Sequence, residues 1–362
     1  MRSLAHRTFS ALAGCVLAVL AAVPVRAQTP TIEPDLLFHS LRHGPSQIYL
    51  ADSNTGTVQR LRAGSDEDID ATWSPDGRQI LFQSRRGTNT DLYLVDASGA
   101  NLRPLTDHPG FDGNARWSPD GKAIAFISGR AGATKIFLMA PDGSQQRRLT
   151  DLAEGDEVSL SWSSDSKRLA FMRIINRKMT VWTMPADGSA PPARLTQAEA
   201  GNETNPSFSP VGNQMVHIGS RRGKSVLMLT ELGTGSSRVL AAALEGGVAS
   251  PVWSLDGQQL IIEGRLASQA RNDVFAVSVA TGEVSNLSQH PSEDMNGSLS
   301  PTGDRLALVS YRDSAVGQVH VQDVKSGAIR RLGEAGKHEF RPVWRPRPLP
   351  AKGAVPVAAG SG

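Results

Sequence analysis

Six acidic residues recur at one fixed offset in this chain. Asp68, Asp112, Glu157, Glu203, Asp294 and Glu339 each stand five positions before a repeated anchor residue: Trp73, Trp117, Trp162, Phe208, Leu299 and Trp344. A seventh anchor, Trp253, has Val248 at that offset and Glu245 slightly earlier. A second series, Arg42, Arg86, Arg130, Arg173, Arg221, Arg265 and Arg312, follows an apolar stretch in each unit. Such a pattern can do one of two things. Carboxylates and guanidiniums can neutralise one another across repeating units, because clustered charges are normally paired. Alternatively, an open ring of carboxylates can hold a cation or a basic peptide. On the second reading the six acids, with Arg42, Arg86, Arg130, Arg221, Arg265 and Arg312, form a partner-binding rim.

Histidine supplies a weaker signal. His43, His108, His290 and His338 fall near the same rim, but their spacing lacks the compact form of a metal site, so no metal and no cofactor is expected. His217 and His320 replace apolar or aromatic residues of other units and read as packed histidines. The chain has no Gly-x-Ser-x-Gly elbow, no His-Glu-x-x-His and no phosphate-binding glycine loop. No catalytic residue is assigned.

The elements that position these residues follow from the repeat. Trp73-Ser74-Pro75-Asp76-Gly77 returns as Trp117-Ser118-Pro119-Asp120-Gly121, with weaker copies starting at Trp162, Phe208, Trp253, Leu299 and Trp344, at spacings of 44 to 46 residues. Ser-Pro-Asp-Gly is a type I turn, with Pro supplying its fixed φ at the second position. A period-2 strand follows (Ile80–Ser84, Ile124–Ser128), then a polar loop and a second strand (Leu92–Val95, Ile136–Met139). A tight turn leads to a short third strand ending Leu-Thr, as at Leu105-Thr106, Leu149-Thr150 and Leu195-Thr196. Four short antiparallel strands per unit of this length are the pattern of a β-propeller blade.

Seven anchors and seven sets of outer strands are offset by one strand. The first outer set, from Leu36, has no anchor before it, and the last anchor, Trp344, has no strands after it. The expectation is an all-β, seven-bladed β-propeller over residues 36–345, closed by the C-terminal strand joining the N-terminal blade. In an antiparallel blade, the loop before the anchor strand and the loop after the second strand leave from one end. Acids and arginines should therefore share a rim.

The Trp/Phe-Ser-Pro-Asp-Gly anchor, the strand ending Phe-x-Ser-x-Arg, the Leu-Tyr strand and the closing Leu-Thr resemble the TolB-like β-propeller repeat, related to the WD repeat. The resemblance covers residues 36–345 and implies the propeller fold and an exported bacterial protein. It departs from TolB itself, which has an α/β domain before a six-bladed propeller.

The flanks agree with export. Arg2 and Arg7 precede an apolar run from Ala11 to Val23, and Val25-Arg26-Ala27 offers a cleavage site. Residues 1–27 read as a signal peptide, 28–35 as a linker and 346–362 as a loose Pro/Ala/Gly tail. Leu12-Ala13-Gly14-Cys15 resembles a lipobox, but most of the apolar run follows the cysteine, which argues against lipid anchoring. Cleavage removes Cys15, leaving no disulfide framework. It also leaves 35 basic and 35 acidic residues. A neutral chain lacks the field that attracts nucleic acid or anionic lipid.

The expected function is a non-enzymatic periplasmic scaffold, monomeric, not inserted in a membrane, holding an envelope or periplasmic protein or peptide at the rim and channel mouth. The alternative is a channel-site enzyme, since oligogalacturonate lyases have similar repeats and use a metal held by histidine. Propeller-linked serine peptidases also resemble these repeats, but the 17 residues after Arg345 do not hold their catalytic domain. A third reading is a structural module whose partner docks on a blade edge or outer face.

Overall fold

The computed structural model describes residues 33–196 and 201–346. The leader, Cys15 and the tail from Arg347 lie outside the described residues. The second compact unit of the chain, from Glu33, is all β-strand, with seven four-stranded antiparallel sheets arranged as a seven-bladed propeller. Among the described residues no helix is long and apolar enough to cross a membrane.

The turn chemistry explains each blade's first corner. The Ser74 carbonyl accepts the Gly77 N–H at 2.8 Å, and Gly77 takes φ +68°, a conformation that costs glycine little. The Ser74 hydroxyl donates to Asp76 at 2.6 Å and accepts from the Gln79 amide at 2.9 Å. The same hydroxyl bonds hold the turns at Asp165 and Asp256. There the Ser163 and Ser254 hydroxyls keep the carboxyls below their ordinary pKa.

Blades stack face to face, so the second strands are buried on both sides and read as near-continuous apolar runs. Phe38, Phe82, Phe126 and Phe171 occupy one place in four successive blades and are at most 1% exposed. Each contributes about 1.5 to 3 kcal/mol by burial. The clusters span blade boundaries: Leu81, Leu92 and Leu94 of the second blade pack with Ile124 and Phe126 of the third. The anchor tryptophans tie neighbours together through their indole N–H groups. Trp162 donates to Arg116 O at 3.1 Å, Trp253 to Ser207 O at 3.1 Å and Trp344 to Ser298 O at 2.8 Å.

The ring closes as the repeat offset requires. Strand Glu339–Trp344 pairs antiparallel with Leu36–Ser40, placing Leu36 opposite Trp344 and Ser40 opposite Glu339. Ala307, Val309 and Val319 of the last blade pack against Phe38 and Tyr49 of the first. Trp73 of the second blade donates to Val343 O of the closing strand at 3.2 Å.

Candidate functional site

The six periodic acids begin the inner strands, and all are at most 3% exposed. Each is bonded to neighbouring groups. Glu157 accepts the Ile136 N–H of the preceding blade at 3.1 Å, bonds the Thr150 hydroxyl and lies 3.5 Å from buried Lys135. Glu203 repeats the arrangement with Thr196 and the Val181 N–H. Glu339 accepts the Val319 N–H at 2.9 Å and pairs with Arg42. Burial pushes the Glu339 carboxyl above the usual glutamate range, with Arg42 opposing.

The remaining acids pair with arginines: Asp68 with Arg62 at 2.9 Å, Asp112 with Arg130 at 2.7 Å and Asp294 with Arg312 at 3.2 Å. Arg86 lies over the Tyr93 ring at 3.9 Å and reaches Asp66 at 3.5 Å. Arg173 donates to Glu154 O. Arg221 is exposed and Arg265 half-buried. Acid and arginine series thus share one end of the blades, and most of their charge is satisfied between or within blades.

The boundary between the fifth and sixth blades lacks both halves of this clamp. Ala241 stands where the other units have Thr150 or Thr196, and Val248 where they have Glu157 or Glu203. Both join an apolar cluster with Leu227 and Leu244. At the closing seam Gly333 holds the threonine position, and a Cβ there would collide with the Arg42 guanidinium. Glycine leaves the room through which Arg42 reaches Glu339.

The histidines do not converge. His108 and His290 each accept a backbone N–H of their own loop, from Gly110 and Ser292. His43 bonds the Tyr49 hydroxyl, and His338 meets Phe340 edge-on. His217 is buried against Thr230, and His320 is buried against Asp313. Among the described residues no three His, Cys, Asp or Glu side chains gather as a metal ion requires.

A second ring lies two residues after the acids. Asp70, Asn114, Ser159, Asn205, Ser250, Asn296 and Arg341 all take φ between 49° and 58°. Every inner strand carries a register shift here, for example between Gly113 and Arg116 or between Met295 and Ser298. A β-bulge with a left-handed residue re-aims one side chain per blade. All seven side chains line two cavities of about 790 and 360 Å³, which share Asp70, Arg116, Ser250, Val252 and Arg341 in their walls. The larger cavity runs to Pro210 and Leu255, in the turns after the anchors. That is the end of the inner strands away from the acids.

Polar side chains on the second strands brace the bulges. Gln83 Oε1 accepts the Asn114 N–H at 3.0 Å, Glu263 accepts the Asn296 N–H at 2.7 Å, and His39 Nε2 accepts the Ala71 N–H at 3.3 Å. Burial, helped by Arg341, lowers the His39 pKa to about 4, so the ring is neutral. The side chains of Asn114, Ser159, Asn205 and Ser250 have no protein partner among the described residues and face the cavity open to a ligand.

A sequence profile described as the TolB beta propeller domain matches residues 85–229 and 186–349. The chain belongs to the TolB β-propeller family. TolB from Acinetobacter baumannii is 18% identical, with a TM-score of 0.56 over 83% of this chain and 79% of that one. An oligogalacturonate lyase in complex with manganese is 15% identical, with a TM-score of 0.64 over 83% and 85%. A Mycobacterium tuberculosis puromycin-hydrolyzing peptidase is also 15% identical, with a TM-score of 0.64. The match covers 83% of this chain but only 53% of the peptidase. At these identities the likeness shows the propeller alone. No curated sequence matches the chain.

Within this TolB-type propeller, sequence reasoning found the acid ring and passed over the bulge ring. The available signal was the residue three before each anchor. It is Asp, Asn, Ser, Asn, Ser, Asn or Arg in the seven units. Asn and Asp are the side chains that tolerate the left-handed region best.

Proposed function

We propose that this propeller is an exported, envelope-located binding module that acts without catalysis and takes a polypeptide segment into the channel from the turn end. The observation that carries the reading is the larger cavity and its bulge-borne Asn and Ser side chains. Amides and hydroxyls both donate and accept, which suits the alternating N–H and C=O groups of an extended peptide. Beside them Val252 and Leu255 are 38% and 62% exposed, an apolar lip suited to the peptide's side chains. The leader-like residues 1–27 support export. The alternative, a metal-dependent polysaccharide lyase, draws no support from the scattered histidines.

A photo-crosslinking residue at Leu255 tests the proposal in the native host. The expected result is a discrete polypeptide adduct that disappears when Asn114 and Asn205 are both changed to Ala, with the melting transition retained. Adducts of equal yield from Val324, an exposed residue outside the cavity walls, would count against the channel as the site.

A further inference from the structure

The bulge ring is electrically lopsided. Asp70, Arg116 and Arg341 are the charged residues among those lining either cavity, and they lie together on one arc. The rest of the ring is Asn and Ser. The Arg116 fork is spent on Asp70: Nη1 donates to Oδ2 at 3.0 Å and Nη2 to Oδ1 at 3.2 Å. Arg341 is different. Its one contact with Asp70 is long, 3.4 Å from Nη1 to Oδ1, and its side chain is 62% exposed. Most of its five donors are therefore free.

Arg341 is also in an unusual conformation for its type. Six bulges place a short polar residue in the left-handed region, and this one places a long cation there at φ 51°. The fold bears that strain, and strain of this kind gathers at ligand sites. The support beneath the arc is a buried, stacked histidine. His39, 1% exposed, accepts the N–H next to Asp70 and stacks at 5.5 Å on Phe340, the residue before Arg341. Its Nδ1 has no partner.

We propose that this arc is a carboxylate subsite, in which the Arg341 guanidinium receives one carboxylate of the ligand, terminal or from an Asp or Glu side chain. The arc carries two guanidiniums and one carboxylate, a net single positive charge. A monoanion neutralises it, whereas a phosphate dianion would leave an excess charge beside Asp70. This rests on the channel being the ligand site and adds what the ligand must carry.

The test follows the arginine Nε–H resonances of the protein by NMR, with three probes: N-acetyl-trialanine as the free acid, its amide, and propionate. The free acid is expected to shift the Arg341 resonance and to bind about tenfold tighter than the amide. Arg341→Asn, which installs the residue natural to three other bulges, should erase that preference without lowering the melting temperature. Arg341→Lys, keeping the charge without the fork, should fall between. If acid and amide bind alike with Arg341 unmoved, the subsite is wrong while the peptide reading stands. If propionate alone shifts Arg341 and neither peptide binds, the subsite stands and the peptide reading falls. If no probe moves Arg341, the subsite is overturned.

Discussion

Two polar rings, one of six members and one of seven, sit two residues apart on the inner strands and live opposite lives. The ring of Asp68, Asp112, Glu157, Glu203, Asp294 and Glu339 is buried and bonded to the protein itself. The ring of Asp70, Asn114, Ser159, Asn205, Ser250, Asn296 and Arg341 borders open space. The first is nearly uniform because the same buried junction repeats: the three glutamates each accept a buried N–H of a third strand, from Ile136, Val181 and Val319, and the three aspartates pair with arginines. A buried N–H without a partner costs about 1 to 3 kcal/mol, so the solution repeats. The second ring varies in charge and size from blade to blade. Regularity marks the residues that build the torus, and departure from regularity marks those free to face a ligand.

This contrast can be broken at either ring. The largest effect is expected from Glu157→Ala, which leaves buried Lys135 without its counter-ion and removes the acceptor shared by the Ile136 N–H and the Thr150 hydroxyl. Loss of about 3 to 5 kcal/mol in denaturant unfolding is anticipated, with ligand capture by the surviving folded fraction unaltered. Wild-type stability in this variant would remove the structural role assigned to the acids.

The next effect is pH-dependent and concerns the brace beneath the second ring. His39 titrates at about 4 when folded and at its ordinary 6.5 when unfolded. The unfolded chain therefore binds the extra proton between these values, and stability falls as pH drops from 6.5 towards 4. The expected loss is about 3 kcal/mol. His39→Gln should flatten that part of the profile, because glutamine can accept the Ala71 N–H as Gln83 accepts that of Asn114. A slope that survives the change assigns the acid sensitivity to other groups.

The smallest stability effect belongs to the second ring itself. Asn205→Ala is expected to cost about 1 kcal/mol, the penalty of a less tolerant side chain in the left-handed region, while weakening ligand binding measurably. A variant that loses stability and keeps its binding would reverse the roles given to the two rings.

The fold was readable in advance because its determinants are local and repeated. Trp73-Ser74-Pro75-Asp76-Gly77 announces a corner, and the one-strand offset between Leu36 and Trp344 announces the closure. The acids were visible as a period, but their partners were not. Glu157 answers to a backbone N–H twenty-one residues earlier, and backbone groups leave no trace in composition. The coupled loss of Thr and acid at Ala241 and Val248 was legible only as a break in the series. Its replacement by apolar packing with Leu227 and Leu244 depends on which strands meet. The bulge ring was hidden for another reason. A register shift reverses the pleat for one residue, so counting in twos along the strand places Asn114 or Asn205 on the wrong side.

The strand pairing of Leu36–Ser40 with Glu339–Trp344 has a consequence for synthesis. Contacts between residues some three hundred positions apart form last and slowly. Until residue 344 arrives, the apolar segment Leu36-Leu37-Phe38 keeps a naked hydrogen-bonding edge, an invitation to foreign strands. A nascent or prematurely stopped chain is thus at its most adhesive just before completion, and the final strand works as a latch that turns an aggregation-prone ribbon into a sealed torus.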